Sequence, residues 1–259
     1  MKAPAARRGS ARGAKAPATR RATLAVYLDE SRDIGLSLLL VVPLLLAYEI
    51  TVMLLAPPAR NTAELAVTDL VGRMSPQLEV WLRRGLVLLL LAVLYVLARR
   101  RPPSVARARW MLLEALGFAL LLGPLVGWML GGLGLSMRPA TAAAGEPAWL
   151  PFVLSVGAGL WEEIVFRLAL LGGLALLLVR VTHLQPVAAT AIAVLVSSLA
   201  FALYHHLGAY GEPLVAGRFV FRLLAGTILG VLFATRGLAV VVYMHVFYDV
   251  LCDLRTLHG

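Results

Sequence analysis

Residues 86–94 read Leu-Val-Leu-Leu-Leu-Leu-Ala-Val-Leu, and residues 38–46 read Leu-Leu-Leu-Val-Val-Pro-Leu-Leu-Leu. Both runs are apolar on all sides, with no polar face left for water, unlike a helix at the surface of a soluble core. The rest of the chain agrees with them. Of its 259 residues 60% are apolar and 15% charged, and the mean hydropathy is +0.85. A soluble domain runs at about 45–50% apolar and about 25% charged. The composition excludes an ordinary soluble enzyme, a disordered tail and a disulfide scaffold. It predicts an all-α, polytopic transmembrane helical bundle.

About 20 apolar residues cross the hydrocarbon. That rule gives about seven spans, within a range of six to eight, at roughly 33–56, 81–98, 110–135, 150–179, 186–207, 218–235 and 237–252. Pro57 and Pro58 stop the first span, and Arg99, Arg100, Arg101, Pro102 and Pro103 stop the second. Trp81, Trp110 and Trp149 sit where interfacial aromatics belong. The last two spans meet at Arg236 and Gly237, so a tight turn must join them. No internal repeat is visible.

The net charge is +10, from 24 Lys and Arg against 14 Asp and Glu. In a soluble protein this would point to nucleic acid. Here the cations crowd between the spans, as cytoplasmic loops require, so no nucleic-acid partner is expected. Residues 1–28 read as a basic, disordered cytoplasmic arm able to meet anionic lipid head groups. A cleaved signal peptide fits less well, since a full-length span follows. The loop 99–109 carries five Arg and shares the arm's side. The N-terminus is therefore expected in the cytoplasm and, after seven crossings, the C-terminus outside. The loop between the first two spans has mixed charge: Arg60, Glu64, Asp69, Arg73 and Glu79. Residues 29–147 are expected to form an N-terminal set of transmembrane helices and 148–253 a second helical core. The Ala-, Leu- and Arg-rich composition suggests the inner (plasma) membrane of a bacterium. The single cysteine, Cys252, excludes an intrachain disulfide and reads as a small packing residue.

Ionisable residues inside a span cost about 2.5–3.5 kcal/mol on insertion scales and mark pathways or reactive sites. Three C-terminal spans carry them in clusters. Leu160-Trp161-Glu162-Glu163-Ile164-Val165-Phe166-Arg167 lies mid-span, Phe201-Ala202-Leu203-Tyr204-His205-His206 ends the next helix, and Tyr243-Met244-His245-Val246-Phe247-Tyr248-Asp249 lies in the last. Glu163 and Arg167, four apart, share a helix face and can pair, while Glu162 points about 100° away. His245 and Asp249, also four apart, present an imidazole and a carboxylate together. With His205 these groups can surround a water molecule with a base, a second proton-handling group and hydrogen-bond donors, as amide hydrolysis requires. The same buried charges also suit a proton-coupled transporter or a non-catalytic membrane scaffold. The lack of repeat symmetry weakens the transporter version. Glu49 and Glu114, inside the first and third spans, read as structural or loosely hydrated.

At these clusters the chain resembles the CPBP family of intramembrane proteases, also called the CAAX-protease and bacteriocin-processing or ABI family. The family pattern is Glu-Glu-x-x-x-Arg, then Phe-x-x-x-His, then His-x-x-x-Asn/Asp. Here it reads Glu162-Glu163-Ile-Val-Phe-Arg167, Phe201-Ala-Leu-Tyr-His205 and His245-Val-Phe-Tyr-Asp249, over roughly residues 148–253. The resemblance implies an intramembrane endopeptidase acting on a membrane-associated protein or peptide. Carried over by position, Glu162 is the general base that activates water, assisted by His205. His245 and Asp249 hold the carbonyl oxygen and developing oxyanion, and Glu163 with Arg167 is the supporting pair. Eukaryotic prenyl-protein proteases have Asn where this chain has Asp249. An ionised Asp repels an oxyanion, so Asp249 must be protonated, orient His245 or bind a metal. Glu162, His205, His245 and Asp249 suffice as ligands for a catalytic zinc. The absence of His-Glu-x-x-His favours a metal-free glutamate mechanism instead.

Glu162 comes out about 18 Å below the outer end of its helix at 1.5 Å per residue. His205 and His245 come out nearer that end, which predicts a site opening outward. His206 is expected at the water interface, and Gly172, Gly173, Gly226 and Gly230 as close-packing positions between helices. Gly134-Leu135-Ser136 lacks the following Gly of a rhomboid-like serine protease and lies at a helix end. The oligomeric state and the identity of the substrate cannot be read from the chain.

Overall fold

The computed structural model describes residues 20–57, 60–61, 63–64, 75–100, 105–136, 147, 149–207 and 211–258. Among these, every regular element is a helix. In chain order they are α1 (Arg20–Ser31), α2 (Ile34–Leu55), α3 (Pro76–Arg100), α4 (Val105–Gly132), α5 (Leu150–Thr182), α6 (Pro186–Tyr204), α7 (Ala216–Arg236) and α8 (Leu238–His258). Six of them, α2 to α7, are long and apolar enough to cross a membrane. The seventh expected span is α8. It is fully apolar only at its start, because Asp249, Asp253 and Arg255 follow.

Of the arm expected over 1–28, residues 20–28 are helical, since α1 begins at Arg20; residues 1–19 lie outside the described residues, as do Asp69 and Arg73. Helix α1 is tied down by its polar groups. Tyr27 donates to Glu114 on α4 at 2.7 Å, Arg107 pairs with Glu30 at 2.8 Å, and Ser31 accepts from Arg236 on α7 at 2.8 Å. Burial, then the neighbouring Glu114, pushes the Tyr27 phenol pKa up, so the hydroxyl remains a donor. Glu114 is thus structural, as expected. It also takes two bonds from Arg236, at 2.6 and 2.5 Å.

Helix α8 is the axis of the bundle. Val240, Val241, Val242 and Met244 are completely buried, enclosed by α4, α5, α2 and α7. One apolar core runs through both halves of the chain, from Val41 and Leu45 on α2 through Met111 and Val126 on α4 to Leu160, Leu229 and Val241. The 86–94 run lies on α3 at the periphery, where Leu88 and Leu89 are 67% and 59% exposed. A helix in that position faces lipid outside and protein inside, and so needs apolar residues all round.

Two glycines set the distance of α5 from its neighbours. A Cβ on Gly157 would stand 2.8 Å from the Tyr48 hydroxyl on α2, and one on Gly159 would stand 2.8 Å from the Val246 nitrogen on α8. Gly226 and Gly230 do the same for α7 against Phe201 and Val194 of α6. The close-packing expectation does not hold for Gly173, which has open space beside it, nor for Gly172, whose nearest neighbour is at ordinary contact distance.

Candidate active site

The first motif sits where α5 changes its winding. Leu150–Glu162 is α-helical, Glu163–Gly172 is a π-helix, and the α form resumes at Gly173. In a π-helix the backbone bonds run to the fifth residue rather than the fourth. Within it Phe166 O accepts from the Ser197 hydroxyl of α6 at 2.6 Å. Glu162 and Glu163 flank the α-to-π junction, about 100° apart, and meet opposite ring nitrogens of the same residue, His245.

The second motif ends α6. Phe201 is buried, with its ring edge-on to that of His205 at 4.7 Å and the Arg167 guanidinium 4.4 Å from its centre. His205 donates Nδ1–H to the Phe201 carbonyl at 2.7 Å, because a carbonyl can only accept. That fixes the tautomer and leaves a lone pair on Nε2, which faces Glu162 Oε2 at 3.8 Å. The third motif lies halfway along α8. His245 donates Nδ1–H to Glu163 Oε1 at 2.7 Å, and its Nε2 stands 3.8 Å from Glu162 Oε2 and 3.5 Å from Asp249 Oδ2.

Glu162, His205, His245 and Asp249 therefore converge, and the expected mismatch in depth disappears. Helix α5 has 33 residues, so α6 sets out about 48 Å from the Leu150 end and brings His205 back to about 20 Å from it, level with Glu162. Glu162 and Glu163 side chains are 5% and 0% exposed, His205 and His245 are 11% and 9%, and Asp249 is 29%. The cluster is enclosed and opens on its Asp249 side. The Glu163–Arg167 pair forms as expected, at 3.2 Å with both side chains fully buried. Glu163 has a second task that the spacing did not reveal, as acceptor for His245.

The sequence reading missed Asn61. Its Nδ2 donates to Glu162 Oε1 at 2.9 Å across 101 residues. The mixed-charge loop that carries it is partly buried rather than solvated. Glu64 is inaccessible and accepts from Arg60 at 3.3 Å, from Arg83 and from Tyr48, while Arg83 also holds Glu49 at 2.7 Å. Polar residues spaced about four apart just before an apolar span were the available signal. His206 is not simply at an aqueous edge. Its Nδ1 donates to the Glu212 carbonyl at 3.0 Å, closing the loop after α6. Although the four candidate zinc ligands are neighbours, no three His, Cys, Asp or Glu among the described residues are gathered as a metal-holding group.

No curated protein and no solved structure matches the chain. A protein-family model does, over residues 144–251, which contain all three motifs and coincide closely with the stretch whose motifs resemble the CAAX proteases. That model describes the Rce1-like type II CAAX prenyl endopeptidases, and it is to this family that residues 144–251 are similar.

Proposed function

We propose that this membrane protein is an intramembrane endopeptidase that hydrolyses a peptide bond in a membrane-associated protein or peptide. It would work by a metal-free glutamate mechanism in the inner membrane of a bacterium, with the N-terminus in the cytoplasm. The observation that carries the reading is the convergence of His205 Nε2 and His245 Nε2 on one oxygen of Glu162, each at 3.8 Å. That separation is too long for a hydrogen bond and suits a bridging water.

Such a water directs one proton to Glu162 Oε2 and the other to the lone pair of His205 Nε2, leaving an oxygen lone pair for the substrate carbonyl carbon. Glu162 takes the proton as the C–O bond forms. The carbonyl π pair moves to oxygen, and the oxyanion is held by His245 Nε2–H and a protonated Asp249. The proton then passes to the amide nitrogen, the C–N bond breaks, and a carboxyl group and an amine leave. Glu163 accepts Nδ1–H of His245 and so fixes the ring, as a carboxylate fixes the histidine of a hydrolytic triad. A buried, water-poor site strengthens each of these interactions.

The test uses purified protein in proteoliposomes, with a quenched fluorescent farnesylated CaaX peptide and an unprenylated transmembrane peptide as probes. Cleavage of either by the wild type is expected. Glu162→Gln should abolish it while the thermal unfolding profile persists, and undiminished turnover would refute the base assignment. Zinc measured by plasma mass spectrometry should fall far below one equivalent in fully active protein, and chelators should not inhibit. Flux or partner binding without proteolysis would favour the transporter or scaffold.

A further inference from the structure

We infer that Asn61, supplied by the loop between α2 and α3, is a positioning residue for the Glu162 carboxylate, so that the N-terminal half of the chain completes the proposed protease site. The inference rests on the hydrolytic reading for its kinetic arm and on geometry alone for its structural arm. Ala63 N–H donates to Asn61 Oδ1 at 2.8 Å, which fixes the amide so that Nδ2–H is the atom facing Glu162. The bond from Nδ2 to Oε1 is 2.9 Å, whereas the two histidine nitrogens near Glu162 stand at 3.8 Å from the other oxygen, Oε2. Asn61 thus takes one carboxylate oxygen and leaves the second turned towards the imidazoles. A carboxylate held at one oxygen cannot rotate about its terminal bond, and its reacting oxygen stays aimed.

The segment bearing Asn61 is itself anchored on both sides. Before it, Arg60 reaches Glu64 at 3.3 Å and Glu79 on α3 at 2.8 Å. After it, Ala63 and Glu64 are buried, and Glu64 accepts from Tyr48 of α2 and Arg83 of α3. None of these residues falls in the family-matched stretch 144–251. A loop clamped to two neighbouring helices and aimed at a third is built to deliver one side chain, not to span a gap.

Asn61→Asp separates the two bonds that Asn61 makes. The substituted carboxyl can still accept from Ala63 N–H, but it sets a second acid against Glu162, and the pair shares one proton in place of the neutral N–H donor. With the farnesylated CaaX peptide as probe, kcat is expected to fall about 10- to 100-fold, the worth of one hydrogen bond to a charged group, with KM within about twofold and an unaltered melting temperature. Infrared difference spectra against Glu162→Gln assign the Glu162 carboxylate stretch, and that band is expected to move in Asn61→Asp. A wild-type kcat, a loss confined to KM, or an unmoved band overturns the inference. Should the wild type cleave no probe, the hydrolytic reading fails by itself and the infrared band alone decides the role of Asn61. Asn61→Ala, read the same way, replaces Asn61→Asp if the latter does not fold.

Discussion

His245 and Asp249 together show how a motif position acquires its role from what surrounds it. Three roles were open for Asp249: protonated donor, orienter of His245, or metal ligand. The imidazole is already fixed through Nδ1 by Glu163 at 2.7 Å, while Asp249 Oδ2 stands at 3.5 Å from Nε2, on the exposed side of the cluster. Glu163 is therefore placed to orient the ring, and in the proposed mechanism Asp249 faces the substrate as a donor. An amide can do the same, which makes Asp249→Asn the mild change: kcat in the peptide assay is expected to stay within about tenfold of wild type. Glu163→Gln removes the carboxylate behind the imidazole and should cost about 10- to 100-fold, as for the carboxylate partners of working histidines elsewhere. If Asp249→Asn is as inactive as Glu162→Gln, Asp249 holds a metal or acts as a base.

At the scale of elements, the three motifs were legible because ionisable residues are rare in lipid and their four-residue spacings survive in any helix. The winding of α5 was not. A π-helix has no hydrophobic period that stands out in a span apolar at nearly every position but Glu162, Glu163 and Arg167, and one contact to it comes from another helix, through Ser197 on α6 to Phe166 O. Asn61 escaped notice for a related reason, since an isolated Asn in a Pro-containing loop looks like any turn residue until its partner 101 positions away is known. Gly157 and Gly159 could have been read as a small-residue stripe, but not assigned to Tyr48 and Val246. Ser197→Ala tests the support of the π stretch. It removes a buried hydrogen bond to the Phe166 carbonyl, at an expected cost of about 0.5–1.5 kcal/mol, measured by chemical unfolding in detergent. Activity should drop further than stability alone requires, because the junction at Glu162 and Glu163 loses its register. An Ala variant with unchanged stability would mean that the wide turn is set by packing instead.

For the molecule as a whole, the question is what holds α2 and α3 to the helices that carry the motifs. Much of the contact is apolar, through the shared core, but apolar packing between membrane helices has no water-driven advantage over lipid and does not by itself fix register. The buried ionic cluster supplies that specificity. Arg83, 8% exposed, faces Glu49 at 2.7 Å, Glu79 at 3.2 Å and Glu64, so one guanidinium joins carboxylates of α2, α3 and the intervening segment, with Arg60 as a second cation for Glu64 and Glu79. Removing a partner from such a set leaves an uncompensated buried charge, typically at about 3–5 kcal/mol, whereas removing both members of a pair is far less harmful. Arg83→Met should therefore lower thermal stability in detergent severely, and adding Glu49→Met should restore part of the loss. The two effects must be non-additive, since the residues touch. The kinetic consequence follows from local geometry, because Glu64 lies three residues beyond Asn61 and loses one of its three anchors, Arg83, while Tyr48 and Arg60 remain. In the fraction of Arg83→Met that remains folded, kcat should fall with KM little changed, as for Asn61→Asp. Recovery of stability in the double variant without recovery of kcat would place the anchor of Asn61 at Glu64 rather than at Glu49. Simple additivity of the two substitutions would show that the cluster is a set of independent pairs and that register is held by the apolar core alone.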